Sequence, residues 1–135
     1  MARKAFVAGA TKRVSHPDDT ENPTVYILQC APFRVRQWVS DHGLEVGSSV
    51  YHAGRIAALG LQVGLLGVEN LLGPDDQPVS IEQTTLKLPG GIEHRCVADN
   101  VLDKLPPSDV PWLQEQLKEF IEANGDDTKK SGAPS

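Results

Sequence analysis

Cysteine, aromatic residues and long apolar runs are all in short supply. Only two cysteines occur, Cys30 and Cys96, with no Cys-x-x-Cys spacing. That excludes a disulfide-dense secreted scaffold and leaves two free thiols in a reducing cytoplasm as the expectation. The longest apolar run, Ile56–Val68, covers 13 positions and is broken by Gln62. A membrane-spanning helix needs about 20 apolar residues, so none is expected. The opening Met-Ala-Arg-Lys-Ala-Phe-Val holds no long apolar stretch, so no signal peptide is expected either. Aromatics make up 5% and all hydrophobics 39% of the 135 residues. This is low for a globular domain but not the composition of a disordered chain. A chain of this length should bury about two-thirds of its surface on folding, enough for one core.

Basic charge is also lacking, above all in the second half. The chain carries 13 basic and 18 acidic residues, a net charge of −5. Residues 1–60 hold seven basic and five acidic side chains, and residues 61–135 hold six and thirteen. A basic nucleic-acid-binding face is therefore not expected in the second half. Arg3, Lys4, Lys12 and Arg13 cluster at the start. They read as a solvated, frayed terminus or as an arm that orders on a partner.

Residues 14–23 form a polar loop bounded by proline. Thr24–Cys30 is β-branched and aromatic and reads as a strand. Pro32 can open a helix in which Val35, Trp38, Val39 and His42 share a face, with Gly43 as its stop. Residues 47–68 are the most apolar stretch. Ser48 or Ser49 can cap a helix from about Val50. On that helix Ala53, Ala57, Gly60 and Gly64 make a small-residue stripe, beside a large one of Ile56, Leu59, Val63 and Leu66. Each helical glycine costs roughly 1 kcal/mol relative to alanine, a cost accepted where another backbone comes close. The stripe reads as a central core helix and, compatibly, as a subunit or client interface.

Gly73-Pro74-Asp75-Asp76 reads as a tight turn. Residues 79–88 look extended, Gly90-Gly91 suits a hairpin turn, and Ile92–Ala98 alternates as the return strand. Asp99 can cap a short helix stopped by Pro106-Pro107. Ser108 or Asp109 can cap the last helix, whose apolar stripe is Val110, Leu113, Leu117, Phe120 and Ile121 and which Gly125 ends. The expected fold is α+β and mainly helical, with a small antiparallel component: a strand near 24–30 and a hairpin near 84–98. The expected organisation is a mobile arm and loop over 1–23, one globular domain over 24–125 and a disordered tail over 126–135.

Catalytic and metal-binding patterns are absent. His16, His42, His52 and His94 are scattered, with no His-x-x-x-His pair to face zinc from one helix. His94 and Cys96 share a side of one strand, but two ligands fall short of a site, and a half-buried strand face accounts for them. There is no Gly-x-Ser-x-Gly elbow and no phosphate-binding loop. Asp75-Asp76 and Asp126-Asp127 sit in a turn and a tail and read as solvated charge. Cys30 precedes a helix, where a thiol pKa can fall, but no base accompanies it and it reads as core. No enzyme, cofactor or metal is expected.

One longer pattern carries a resemblance. Residues 61–82 run Leu-Gln-Val-Gly-Leu-Leu-Gly-Val-Glu-Asn-Leu-Leu-Gly-Pro-Asp-Asp-Gln-Pro-Val-Ser-Ile-Glu. This resembles a module that ends a helix with Gly-aromatic-x-Asn, followed by a polar Asp/Gly turn and Pro-Val-x-Phe. Here Val68 replaces the aromatic residue and Ile81 the phenylalanine. Asn22–Leu28 resembles the early strand of the same group, and Leu105-Pro106 with the helix over 110–124 resembles its end. The group is the tail assembly chaperones of long-tailed bacteriophages. The resemblance implies a protein of the host cytoplasm, absent from the mature virion. It would bind the long helical tape measure protein and keep it soluble while the tail tube polymerises, with the tail tube protein as a further candidate partner. It also implies a longer frameshifted form, for which the Lys129-Lys130 codons are a candidate slippage site.

A transient cover needs an apolar groove and many copies rather than chemistry. The candidate client or self-association surface is Ala53, Ile56, Ala57, Leu59, Gly60, Val63 and Gly64, with Trp112 and Phe120 of the last helix as the second choice. Self-association into dimers or rings is expected, without nucleic acid or membrane. The alternative is a structural virion protein such as a head–tail connector or tail completion subunit. A prophage regulator would need a basic recognition helix, and the second element of residues 32–66 offers only Arg55.

Overall fold

The computed structural model describes residues 2–42 and 53–124. Among the described residues nine elements follow one another: β1 (Thr11–Val14), β2 (Val25–Gln29), α1 (Phe33–Asp41), α2 (Ala53–Gly64), β3 (Leu65–Glu69), β4 (Gln83–Leu88), β5 (Ile92–Val97), α3 (Asp99–Leu102) and α4 (Asp109–Ala123). The strands form an antiparallel sheet ordered β1-β2-β3 and a separate β4-β5 hairpin. About a third of the chain is helix and a quarter strand, so the fold is α+β but not mainly helical.

Two strands account for the difference. The apolar stretch read as helix up to Val68 leaves the helix at Gly64, and Leu65–Glu69 becomes β3. Short apolar runs fit either state, and pairing of β3 with β2 decides for strand here. The other strand, β1, lies inside the segment read as arm and loop. Its polar Thr-Lys-Arg-Val sequence carries no alternation, and it is held by main-chain pairing of Thr11 with Gln29 through Val14 with Tyr26. Arg13 reaches across β2 to form a two-pronged ion pair with Glu69 of β3. The expected helix start near Val50, the Gly43 and Gly125 stops and the 126–135 tail lie outside the described residues.

Helix α2 separates two cores. On one side Leu61 and Leu65 join Tyr26, Leu28, Val97, Val101, Leu113 and Leu117. On the other, Val63 joins Ala31, Val35, Val39 and Leu88. Helices α1 and α4 both pack on α2, and α4 comes close because Gly64 has no side chain. A Cβ there would run into the terminal carbons of Leu117. Trp112 and Phe120 are partly buried and pack against the first core. The buried Tyr26 hydroxyl donates to Asp109 Oδ2 at 2.6 Å, tying the start of α4 to β2. Burial first, and then that carboxylate, raises the Tyr26 pKa above its ordinary value.

Turn chemistry follows local sequence. Gly90 and Gly91 both take positive φ, 85° and 77°, at the tip of the β4-β5 hairpin. Asn70, at φ 59°, ends β3 in the left-handed region, and its side-chain amide donates to the Asn22 and Pro23 carbonyls. Residues 67–69 of the Gly-x-x-Asn pattern are therefore strand, not a helix end. The expected caps are Asp99 for α3 and Ser108 or Asp109 for α4, and Asp109 is already the first residue of α4. Asp99 is instead the first residue of α3, following Ala98, and Ser108 makes no side-chain cap bond to α4.

Gly60 and Gly64 should respond to alanine in opposite directions. A Cβ at Gly60 meets nothing within 4 Å, so Gly60→Ala should stabilise the chain by up to about 1 kcal/mol through helix propensity. Gly64→Ala must displace Leu117 and should cost about 1–3 kcal/mol. Urea denaturation of the two variants checks both signs.

Candidate functional site

Helix α2 passes directly into β3, with no loop between Gly64 and Leu65. The last carbonyls of a helix lack intrahelical donors, and at Val63 side chains from two strands supply them. The Val63 carbonyl accepts from His94 Nε2 at 2.8 Å and from Gln29 Nε2 at 3.1 Å. A carbonyl only accepts, so His94 carries its proton on Nε2. Its 3.4 Å approach to Gln29 Nε2 is then two donors converging on one oxygen. Gln29 Nε2 also donates to the Arg95 carbonyl at 2.7 Å. Gln62 Nε2, one residue earlier, donates to the Val97 carbonyl at 3.3 Å. The pairing register shifts after Ile27, and the Leu66 carbonyl accepts from Gln83 Nε2 at 2.7 Å. Gln83 Oε1 in turn accepts from Arg95. These bonds fasten the hairpin to the helix–strand junction.

The junction fixes one side of an apolar pocket of about 100 Å³. Gly60, Val63 and Gly64 of α2 form part of the lining, with Ala31, Arg36 and Val39 from the α1 side and Leu117 and Ile121 of α4. The N-terminal segment runs past it. Phe6 lies 4.6 Å from the Arg36 guanidinium. Val7 exchanges two 2.8 Å hydrogen bonds with the Asn124 side chain, which acts like a paired strand residue. Gly9 N–H donates to the Cys30 carbonyl, and Cys30 N–H to that of Ala10.

The expected surface is thus divided. Val63 and Gly64 are buried inside the chain, Ile56 and Leu59 pack partly against the second core, Gly60 is partly open and Ala57 is exposed. The Ala53 side chain lies outside the described set. Sequence reading missed Arg36, Phe6 and Asn124, because the elements that bring them together are far apart in sequence and no local pattern marks them. The stripe did mark Gly60 and Gly64.

No group of three or more His, Cys, Asp or Glu side chains suited to a metal ion occurs among the described residues. Cys30 and Cys96 are both free and fully buried. His94 is 7% exposed, more deeply buried than a half-buried strand face would be. No described helix is long and apolar enough to cross a membrane. Comparison of the chain with protein-family models, curated proteins and solved structures finds no match.

Burial pushes the Cys96 thiol from its ordinary value near 9 up to about 11. A raised folded-state pKa contributes stability that is complete below pH 9 and is lost as pH rises toward 11. Between pH 8 and 11 the wild type should therefore lose on the order of 2 kcal/mol relative to Cys96→Ala. Paired urea titrations across that range measure the difference, and parallel curves would contradict it.

Proposed function

We propose that this chain is a tail assembly chaperone of a long-tailed bacteriophage, acting in the host cytoplasm. It covers apolar faces of the helical tape measure protein until tail-tube subunits replace it. One observation carries the reading beyond the resemblance. Gly60 and Gly64 of α2 line an apolar pocket between three helices, on the same helix as the exposed Ala57 and the partly buried Ile56 and Leu59. This is the geometry that helix-in-groove recognition uses. The work asked of the site is transient burial, which needs no acid, base or nucleophile. Many weak contacts along a long client suit it better than one tight one, because the cover must leave when the tube arrives.

Co-expression with a tape measure protein, the long helical client that the proposal requires, tests it. The client should be soluble with the chain present and aggregate without it. The complex should form with a negative heat-capacity change and survive high salt, since screening weakens only its charged contacts. Equal aggregation with and without the chain would overturn the proposal. Recovery of the chain from purified particles would favour a structural virion subunit instead.

A further inference from the structure

We propose that the pocket between α1, α2 and α4 is an anchor site for one large aliphatic side chain on an amphipathic helix. Arg36, on this proposal, selects helices that carry a carboxylate within a turn of that anchor. The inference rests on the helix-binding reading above and specifies which helices the site takes.

Size sets the anchor. An apolar cavity of about 150 Å³ holds a benzene molecule, so about 100 Å³ suits a single branched aliphatic group. Ala31, Val39, Val63, Leu117 and Ile121 supply apolar wall, and Gly60 leaves an opening because a Cβ there meets nothing within 4 Å. A bare glycine at the mouth lets an incoming helix backbone approach closely.

Charge sets the neighbour. The Arg36 side chain is held in place: Nε donates to the Ala31 carbonyl at 3.1 Å, and the guanidinium lies 4.6 Å from the Phe6 ring and 5.8 Å from the Phe33 ring. No carboxylate among the described residues forms an ion pair with it. A planar, preorganised guanidinium at the edge of an apolar pocket is matched by a carboxylate beside an aliphatic knob. A second copy of the chain offers no such knob among its described residues. The exposed large apolar residues are Val7, Phe33 and Leu72. Val7 and Leu72 are not helical, and Phe33 is flanked by Arg34 and Arg36.

Two synthetic amphipathic peptides of about 20 residues, long enough to be helical, test the site on the full chain. Both carry leucines along one face. One has glutamate, the other lysine, four residues from the central leucine. Calorimetry at low salt should give the glutamate peptide an affinity about tenfold higher, and Arg36→Glu should reverse that order. Gly60→Leu, which fills the opening, should weaken the glutamate peptide about tenfold while its circular dichroism matches the wild type. Methyl resonances of Ile121 and Leu117 should shift on adding the glutamate peptide to the wild type, a readout independent of any variant. Equal affinity for both peptides, or unshifted Ile121 and Leu117 methyls, would overturn the anchor site. If the co-expressed client is still kept soluble in that case, the anchor site alone fails. Peptide binding at Ile121 without client solubilisation would support the anchor site and remove the chaperone reading.

Discussion

A single buried carbonyl, that of Val63, is the point on which the two halves of this structure meet. The chain changes there from helix to strand within one residue, and a helix end buried without donors would carry unsatisfied acceptors. Gln29 from β2 and His94 from β5 both donate to it. The two side chains are 7% exposed, so water cannot replace either bond freely. Leaving such a group unpaired costs about 1–3 kcal/mol, a large share of a small domain's stability. The three-stranded sheet, the hairpin and α2 share no sheet, and these hydrogen bonds add register to the apolar core they have in common.

The consequences spread outward from that junction. Fixing the end of α2 directs Leu61 and Leu65 into the first core and Val63 into the second. It also sets Gly64 under Leu117, which lets α4 settle close enough to help wall the pocket. Tyr26 and Asp109 hold the start of α4, and Asn124 ties its end to the N-terminal segment at Val7. The candidate binding surface is thus a product of how three helices are pinned. Its one charged member among the described residues, Arg36, is itself restrained by Phe6, Phe33 and the Ala31 carbonyl.

Local chemistry made much of this legible in advance. The Gly90-Gly91 turn, the β4-β5 alternation, the strand at Val25–Gln29 and the α4 stripe of Leu113 and Leu117 all carry short-range signals. The helix–strand switch at Gly64 did not, because Leu65, Leu66 and Val68 suit a buried helix as well as a buried strand, and only β2 breaks the tie. Strand β1 was hidden for the opposite reason: Thr11, Lys12 and Arg13 are exposed and contribute backbone pairing, which leaves no mark on side-chain pattern. The small-residue stripe was visible, but its use was not. Gly64 serves an internal contact and Gly60 an open one, and a sequence spacing cannot tell those apart. His94 looked like an ordinary strand residue, since its partner is a carbonyl more than thirty residues away.

A double-mutant cycle on Gln29 and His94 tests this account most directly. Gln29→Leu and His94→Leu each remove one donor to the Val63 carbonyl, and the double variant removes both. Residues sharing one partner should couple, so the double variant should differ from the sum of the singles by at least about 0.5 kcal/mol in urea denaturation. Hydrogen exchange at the end of α2 should accelerate together with that of β5 in each variant. Additivity within about 0.3 kcal/mol, with α2 and β5 exchanging independently, would contradict the claim that this junction joins the two sheets.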